Sequence, residues 1–276
     1  MFKIVSDSSC DLLSLDGVDF ASVPLTISTE SRSWVDDSQI DVHEMLDALA
    51  VNKGRTFTAC PNVDAWLKAF EGSKEIIAAT ITSGLSGTYS SAMAARSIYL
   101  QQHPDAKIHV LDSLSTGPEL ALLLEKLAEY SRSGFSVESA AAAAEAYLKT
   151  TRLFFVLQSI RNLAQNGRVS KAVAAAVGVL GVRIVATASR QGTIEPIAKL
   201  RNDKKAVAEL LAQLEQMHFH KGKLRITHAE NSGLAEQLRR VLAERYPQAD
   251  LCVYESRGLC SYYAERGAVF LAAESC

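Results

Sequence analysis

What this 276-residue chain lacks excludes several kinds of chemistry. Its five cysteines, Cys10, Cys60, Cys252, Cys260 and Cys276, are scattered and odd in number and form no C-x-x-C pair. Neither a disulfide framework nor a zinc knuckle is indicated, and they read as reduced thiols. Charge of one sign is not in excess, because 29 Lys and Arg stand against 31 Asp and Glu. Without a basic field, nucleic acid and anionic membrane surfaces are not expected partners. The longest weakly polar run, Ala172 to Val182, is far short of the roughly 20 residues that cross a bilayer, so no stable membrane insertion is expected. Phe2-Lys3-Ile4-Val5 follows Met1 directly, without the basic-then-apolar order of a signal peptide. A cytoplasmic location is the expectation.

Several motifs are missing too. No G-x-x-x-x-G-K-[ST] follows a strand, Gly84 and Gly87 fall short of G-x-G-x-x-G, and the six histidines show no H-E-x-x-H spacing. His218 and His220 lie two apart, on different sides of a helix should that helix continue. No metal and no cofactor are expected.

What is present is ordinary globular material, 48% hydrophobic and 22% charged, in a length that suits two domains. Phe2 to Val5, Phe20 to Ile27 and Lys107 to Leu111 read as strands. Asp41 and Glu44 form a capping box for a helix over Val42 to Ala50, and Asn62 caps a helix with Val63, Trp66, Leu67 and Phe70 on one face. Further helices are expected over Leu120 to Arg132, opened by Thr116-Gly117-Pro118-Glu119, and from Ser136 to about Lys149. This alternation predicts an α/β domain over residues 1–151, a mostly parallel sheet flanked by helices. From Arg152 the pattern changes. Arg183 to Ser189 and Thr193 to Leu200 form a hairpin around Arg190-Gln191-Gly192. Strands at Leu153 to Gln158, Leu224 to Ala229, Leu251 to Glu255 and Ala268 to Ala273 alternate with helices at Ile160 to Gln165, Lys171 to Val179, Asp203 to Met217 and Leu234 to Arg245. Residues 152–276 are therefore expected to form a second α/β domain with a mixed or antiparallel sheet.

Chemistry concentrates in Glu75 to Ala92, EIIAATITSGLSGTYSSA, where an apolar β-like run breaks at Ser83-Gly84 and resumes as a helix-like pattern. Such a junction aims unpaired backbone N–H groups and the positive end of a helix dipole at one point, and Thr82, Ser83, Ser86 and Thr88 add hydroxyl donors. It suits an anion, or simply a well-capped helix. Gly84-Leu85-Ser86-Gly87-Thr88 approaches the nucleophile elbow G-x-S-x-G, but Thr88 stands where a small residue is needed. A serine-dependent acyl-ester hydrolase using Ser86, with His218, His220 or His228 as base, is the alternative. Ser6 to Ser9 reads as a ligand loop or a turn, and Thr58 as a binder or a cap in the polar loop Thr56 to Pro61.

Four segments carry a resemblance: ITSGLSGTYSSA, LDSLSTGPELALL from Leu111 to Leu123, SIRNLAQNGRVSK from Ser159 to Lys171, and RNDKKAV from Arg201 to Val207. Together they resemble the DegV family of fatty-acid-binding proteins across essentially the whole chain. The resemblance implies a two-domain protein without catalytic chemistry of its own. It would hold one long-chain fatty acid, the tail enclosed by helices and the carboxylate near the domain junction, and present it to a partner of the fatty-acid kinase type. The family's L-S-G-T-Y turn matches Leu85 to Tyr89, which makes Ser86 the leading carboxylate donor, with Ser83 close by. T-S-Q-P corresponds to Thr58-Ala59-Cys60-Pro61 and retains Thr58. N-G-R matches Asn166 to Arg168, so that Arg168 supplies positive charge. Tyr263 falls where many members carry a histidine, which implies a different recognition of the head group.

Overall fold

In the computed structural model, which describes residues 1–169 and 181–274, the first half of the chain builds a four-stranded sheet from β1 (Lys3–Asp7), β2 (Phe20–Val23), β6 (Glu75–Thr80) and β7 (Lys107–Asp112). Its order is β2-β1-β6-β7 and every pairing is parallel. Alternation along β6 explains the layers. Ile76 and Ala78 pack with Trp66 and Phe70 of α2 (Val63–Phe70) and with Ala92, Ala95 and Tyr99 of α3 (Thr88–Gln102). Ile77 and Ala79 pack on the other face against α4 (Gly117–Arg132) and α5 (Val137–Tyr147).

The second half forms a six-stranded sheet from β8 (Thr151–Leu157), β9 (Arg183–Ala188), β10 (Ile194–Leu200), β11 (Gly222–His228), β12 (Ala249–Glu255) and β13 (Val269–Glu274). Its order is β10-β9-β8-β13-β11-β12, with only β11 and β12 parallel, so it is mixed. Phe154, Val156, Ile226 and Leu271 bury one face under α7 (Asp203–Gln216) and α8 (Ser232–Arg245). Phe155, Leu157 and Phe270 turn the other way and meet Leu122 of α4.

Helix α4 therefore lies between the two sheets, and its first half, Gly117 through Leu124, is buried on all sides. A stretch apolar on every side but for Glu119, whose carboxylate is paired with the Ser115 and Thr151 hydroxyls, requires such a place. Its C-terminal half joins the second sheet by ion pairs: Arg225 makes two 2.8 Å bonds to Glu125, and Lys223 reaches Glu129 at 2.6 Å.

Three segments depart from the sequence-based expectation. The strand expected over Phe20 to Ile27 breaks at Pro24 into β2 and β3 (Thr26–Thr29), which belong to different sheets. With β4 (Ser33–Val35) and β5 (Thr56–Ala59), β3 forms a small antiparallel sheet, so the expected polar loop at Thr56 to Pro61 is largely a strand. Of the two readings of Ser6 to Ser9, the turn holds: β1 ends there and the Asp7 carboxylate caps a short 3-10 helix, Ser8–Cys10, accepting from the amides of Ser9 at 3.0 Å and Ile81 at 2.7 Å. Asp41 does cap α1 (Val42–Val51) by accepting from the Glu44 amide, but Glu44 does not reach back; its carboxylate accepts from Trp34 Nε1. The helix expected over Lys171 to Val179 lies outside the described residues. Among the described residues the remaining α-helices are α6 (Arg161–Gln165) and α9 (Gly258–Ala264), and the sequence reading did not foresee α9.

Candidate functional site

The turn between β6 and α3 is fixed from both halves of the molecule. The Thr82 amide donates to Ser115 O at 2.8 Å, and the Thr82 hydroxyl donates to Gly192 O at 2.8 Å, at the tip of the β9–β10 hairpin. Glycine is required on both sides of this contact. A Cβ on Gly84 would lie 2.7 Å from Gln191 O, and Gly192 has φ +71° with the Thr82 side chain where its own Cβ would be. Beyond the turn, Ser86 Oγ is 2.8 Å from Thr88 Oγ1 and accepts from the Thr88 amide at 3.3 Å. The N-cap residue of α3, Gly87, supplies no side-chain bond, so apart from the Thr88 amide held by Ser86 the N-terminus of α3 carries no side-chain cap.

Opposite this turn, α9 hangs from two buried carboxylates. Asp36 accepts from the amides of Gly258 at 2.9 Å and Leu259 at 3.0 Å, and Asp11 accepts from the Arg257 amide at 2.8 Å. Burial raises both carboxyls above their usual range, Asp11 to about 8, and the amide bonds oppose that rise only in part. Gly258 admits no side chain, since a Cβ would meet Asp36 Oδ1 and Ile40 Cδ1 at 2.7 Å each. The far end of α9 reaches β5. Tyr263 Oη is 2.8 Å from Thr58 Oγ1, and Tyr262 Oη is 2.7 Å from Thr56 Oγ1 and accepts from Asn166 Nδ2 at 2.9 Å. Thr56 and Thr58 share one face of β5 by the two-residue period of a strand, which leaves Phe57 exposed on the other.

Between these parts lies a cavity with about 660 Å³ of space between protein atoms, part of it open to solvent. Its walls are largely apolar, with Leu25, Ile81, Phe155, Leu157, Leu163 and Phe270 among them. Ser86, Thr58, Arg168 and Tyr263 all line it. Arg168 is held in place by its Nε bond to Leu85 O at 2.8 Å and a second bond to Asn166 O at 2.6 Å. Ser83 lies apart: it is exposed, outside the lining, and its amide donates to Asp112 at 3.1 Å. Of the candidate bases, His228 is buried at the end of β11, where its Nδ1 accepts from the Asn231 amide at 3.4 Å, and burial lowers its pKa. His218 follows the end of α7 with φ +56°, so the helix does not continue through it. None of His218, His220 and His228 is among the cavity-lining residues, and the Ser86 hydroxyl pairs with Thr88.

Sequence reasoning did not bring Leu259, Cys260 or Thr116 to this cavity, because α9 was not foreseen and Thr116 was read only as a helix start. A signal was available in Gly258-Leu259-Cys260-Ser261-Tyr262-Tyr263, a largely apolar run too short to fill a helix of its own. Among the described residues, no group of three or more His, Cys, Asp or Glu is placed to hold a metal ion, and no helix is long and apolar enough to cross a membrane.

Comparison with known proteins gives one consistent result. A DegV domain-containing protein of Streptococcus pneumoniae is 40% identical over 277 residues, covering 99% of each chain. A DegV family protein of Eubacterium eligens, solved loaded with heptadecanoic acid, is 50% identical with a TM-score of 0.97 over 100% of both chains. The Fatty Acid Kinase (Fak) B3 protein of Streptococcus pneumoniae, solved loaded with linoleic acid, is 40% identical, also with a TM-score of 0.97 over 100% of both chains. The family profile described as "Uncharacterised protein, DegV family" matches residues 1–275, and the chain belongs to the DegV family.

Proposed function

We propose that this protein is a fatty-acid carrier that binds one long-chain acid in the cavity between its two sheets and presents it, in the cytoplasm, to a partner such as a fatty-acid kinase. The observation that carries the reading is a cavity with largely apolar walls whose lining also includes Ser86, Thr58, Arg168 and Tyr263. Removing an acyl chain from water is favourable by about 0.8 kcal/mol per methylene, so the apolar walls supply most of the affinity. The polar lining residues fix orientation. Ser86 and the positive N-terminus of α3 face the carboxylate from one side, one hydroxyl of the Thr58–Tyr263 pair donates from another while the second donates within the pair, and Arg168 supplies the opposite charge. Ser83 contributes through its backbone, whose bond to Asp112 holds the turn that carries Ser86.

In this reading the protein itself breaks no bond. Ser86 is a hydrogen-bond donor, and the reacting phosphate and its metal belong to the partner. Relatives solved with heptadecanoic acid and with linoleic acid, at 50% and 40% identity, support the ligand class, and the second bears the name of a fatty-acid kinase component. The test is native mass spectrometry of delipidated protein reloaded with palmitic, stearic and oleic acids. One acid bound per chain is expected; no adduct with any of them would overturn the proposal.

A further inference from the structure

The β9–β10 hairpin reaches the cavity with one residue, Ile194, which lines it half-buried and packs against the core cluster that includes Phe155, Leu157 and Phe270. Its own sheet supports that reach only weakly. Among the described residues β10 pairs with β9 alone, as an edge strand, and the ladder is interrupted by a register shift between Pro196 and Ala198, where proline has no N–H to give. Ile194 stands beyond this interruption, in the last pair of the ladder, opposite Ala188. The tip from Ser189 to Thr193 is bonded to itself: the Ser189 amide donates to Thr193 O at 2.8 Å, the Gly192 amide to Ser189 O at 2.9 Å, and the Ser189 hydroxyl accepts from the amides of Gln191 and Thr193. Among the described residues, one hydrogen bond ties the tip to a segment outside the hairpin, the bond from the Thr82 hydroxyl to Gly192 O.

Thr82 is only 2% exposed, and its hydroxyl is used twice. It donates to Gly192 O at 2.8 Å and accepts from the Gly84 amide at 3.0 Å, so one oxygen holds both the hairpin tip and the start of the turn that carries Ser86. Gly192 is itself buried, and a buried carbonyl that loses its donor is costly. The turn has further backbone bonds, from the Thr82 amide to Ser115 O at 2.8 Å and from the Leu85 amide to Thr82 O at 3.3 Å. The tip has no such second anchor outside the hairpin among the described residues, so loss of the Thr82 hydroxyl falls mainly on the hairpin.

We infer that Thr82 is a positioning residue for ligand retention: its hydroxyl pins the hairpin tip to the Ser86 turn and thereby keeps Ile194 against the cavity. This rests on the fatty-acid reading and adds to it the group that sets how fast a bound acid leaves. Thr82 is not among the cavity-lining residues, so it acts through Ile194 and not by touching the ligand.

The test uses delipidated full-length protein loaded with cis-parinaric acid, a long-chain acid that fluoresces when bound, and follows its release into excess stearic acid by stopped flow. Thr82→Val keeps the shape of the side chain without the hydroxyl; it is expected to raise the dissociation rate about tenfold, with a much smaller change in the association rate. Thr82→Ser keeps the hydroxyl and should release at the unmodified rate. Ile194→Ala truncates the wall directly and should speed release to a similar degree, and the double variant Thr82→Val, Ile194→Ala should release no faster than the faster single variant, because the two act in series. Gly192→Ala breaks the same contact from the hairpin side and should speed release as Thr82→Val does, so it decides the matter should Thr82→Val not fold. Release unmoved by Thr82→Val, Gly192→Ala or Ile194→Ala would overturn the inference, and so would effects that multiply in the double variant or a Thr82→Ser variant as fast as Thr82→Val. Failure of the unmodified protein to bind either acid would instead overturn the fatty-acid reading itself.

Discussion

A carboxylate in a partly buried site needs donors already aimed at it, and in the proposed site each comes from a different element. Ser86 precedes α3, Thr58 lies on β5, Tyr263 ends α9 and Arg168 follows α6. Charge-assisted hydrogen bonds contribute about 1.5–3 kcal/mol each, so Ser86→Ala is expected to lower fatty-acid affinity by roughly ten- to a hundredfold. Circular dichroism should show the fold unchanged, since the bonds the hydroxyl makes are local, to Thr88 Oγ1 and the Thr88 amide. Tyr263→Phe removes only a neutral hydroxyl, together with its 2.8 Å bond to Thr58, and a several-fold loss is expected in the same titration. A fully retained affinity in both variants would place the head group elsewhere.

At the scale of elements, α9 matters most, because it carries Leu259, Cys260, Tyr263 and Ala264 to the cavity. Its position depends on backbone amides held by Asp36 and on the absence of a side chain at Gly258. Gly258→Ala forces a methyl against Asp36 and Ile40, and overpacking of this kind costs about 1–3 kcal/mol. A lowered urea midpoint and a weaker fatty-acid complex should appear together. Elements with strong local signals were legible before any coordinates: the parallel strands β1, β6 and β7, the caps Asp41, Asn62 and Ser136, and the β9–β10 hairpin all follow from periodicity and short-range bonds. The three-stranded sheet and α9 were not, because long-range partners decide them. Thr56-Phe57-Thr58 becomes a strand by pairing with β3 and by receiving two tyrosines from a segment about 200 residues later. Ser86 was legible because its turn is a local motif. Asp11 and Asp36 were not, since their importance lies in burial and in amides far along the chain.

At the scale of the whole molecule, the interior between the two halves is lined with acids that burial pushes upward: Asp7 to about 6, Asp11 to about 8, and Asp36 and Glu119 in the same direction. An aspartate in the unfolded chain loses its proton near pH 3.9. Between there and about pH 8 these acids bind more protons in the folded chain than in the unfolded one, so their contribution to stability falls as pH rises. The melting temperature is expected to decline between about pH 5 and pH 8, with a shallower slope in Asp11→Asn, whose amide still accepts from Arg257. Calorimetry across that window checks it, and a melting temperature that rises would contradict the assignment. The same interior holds the proposed ligand, so the most direct measurement of the central claim is a crystal structure of the protein loaded with a fatty acid brominated near its tail. The account predicts the carboxylate within hydrogen-bonding distance of Ser86 Oγ, with the bromine signal among Phe155, Leu157 and Phe270. A carboxylate remote from Ser86, or a bromine signal outside the cavity, would contradict it.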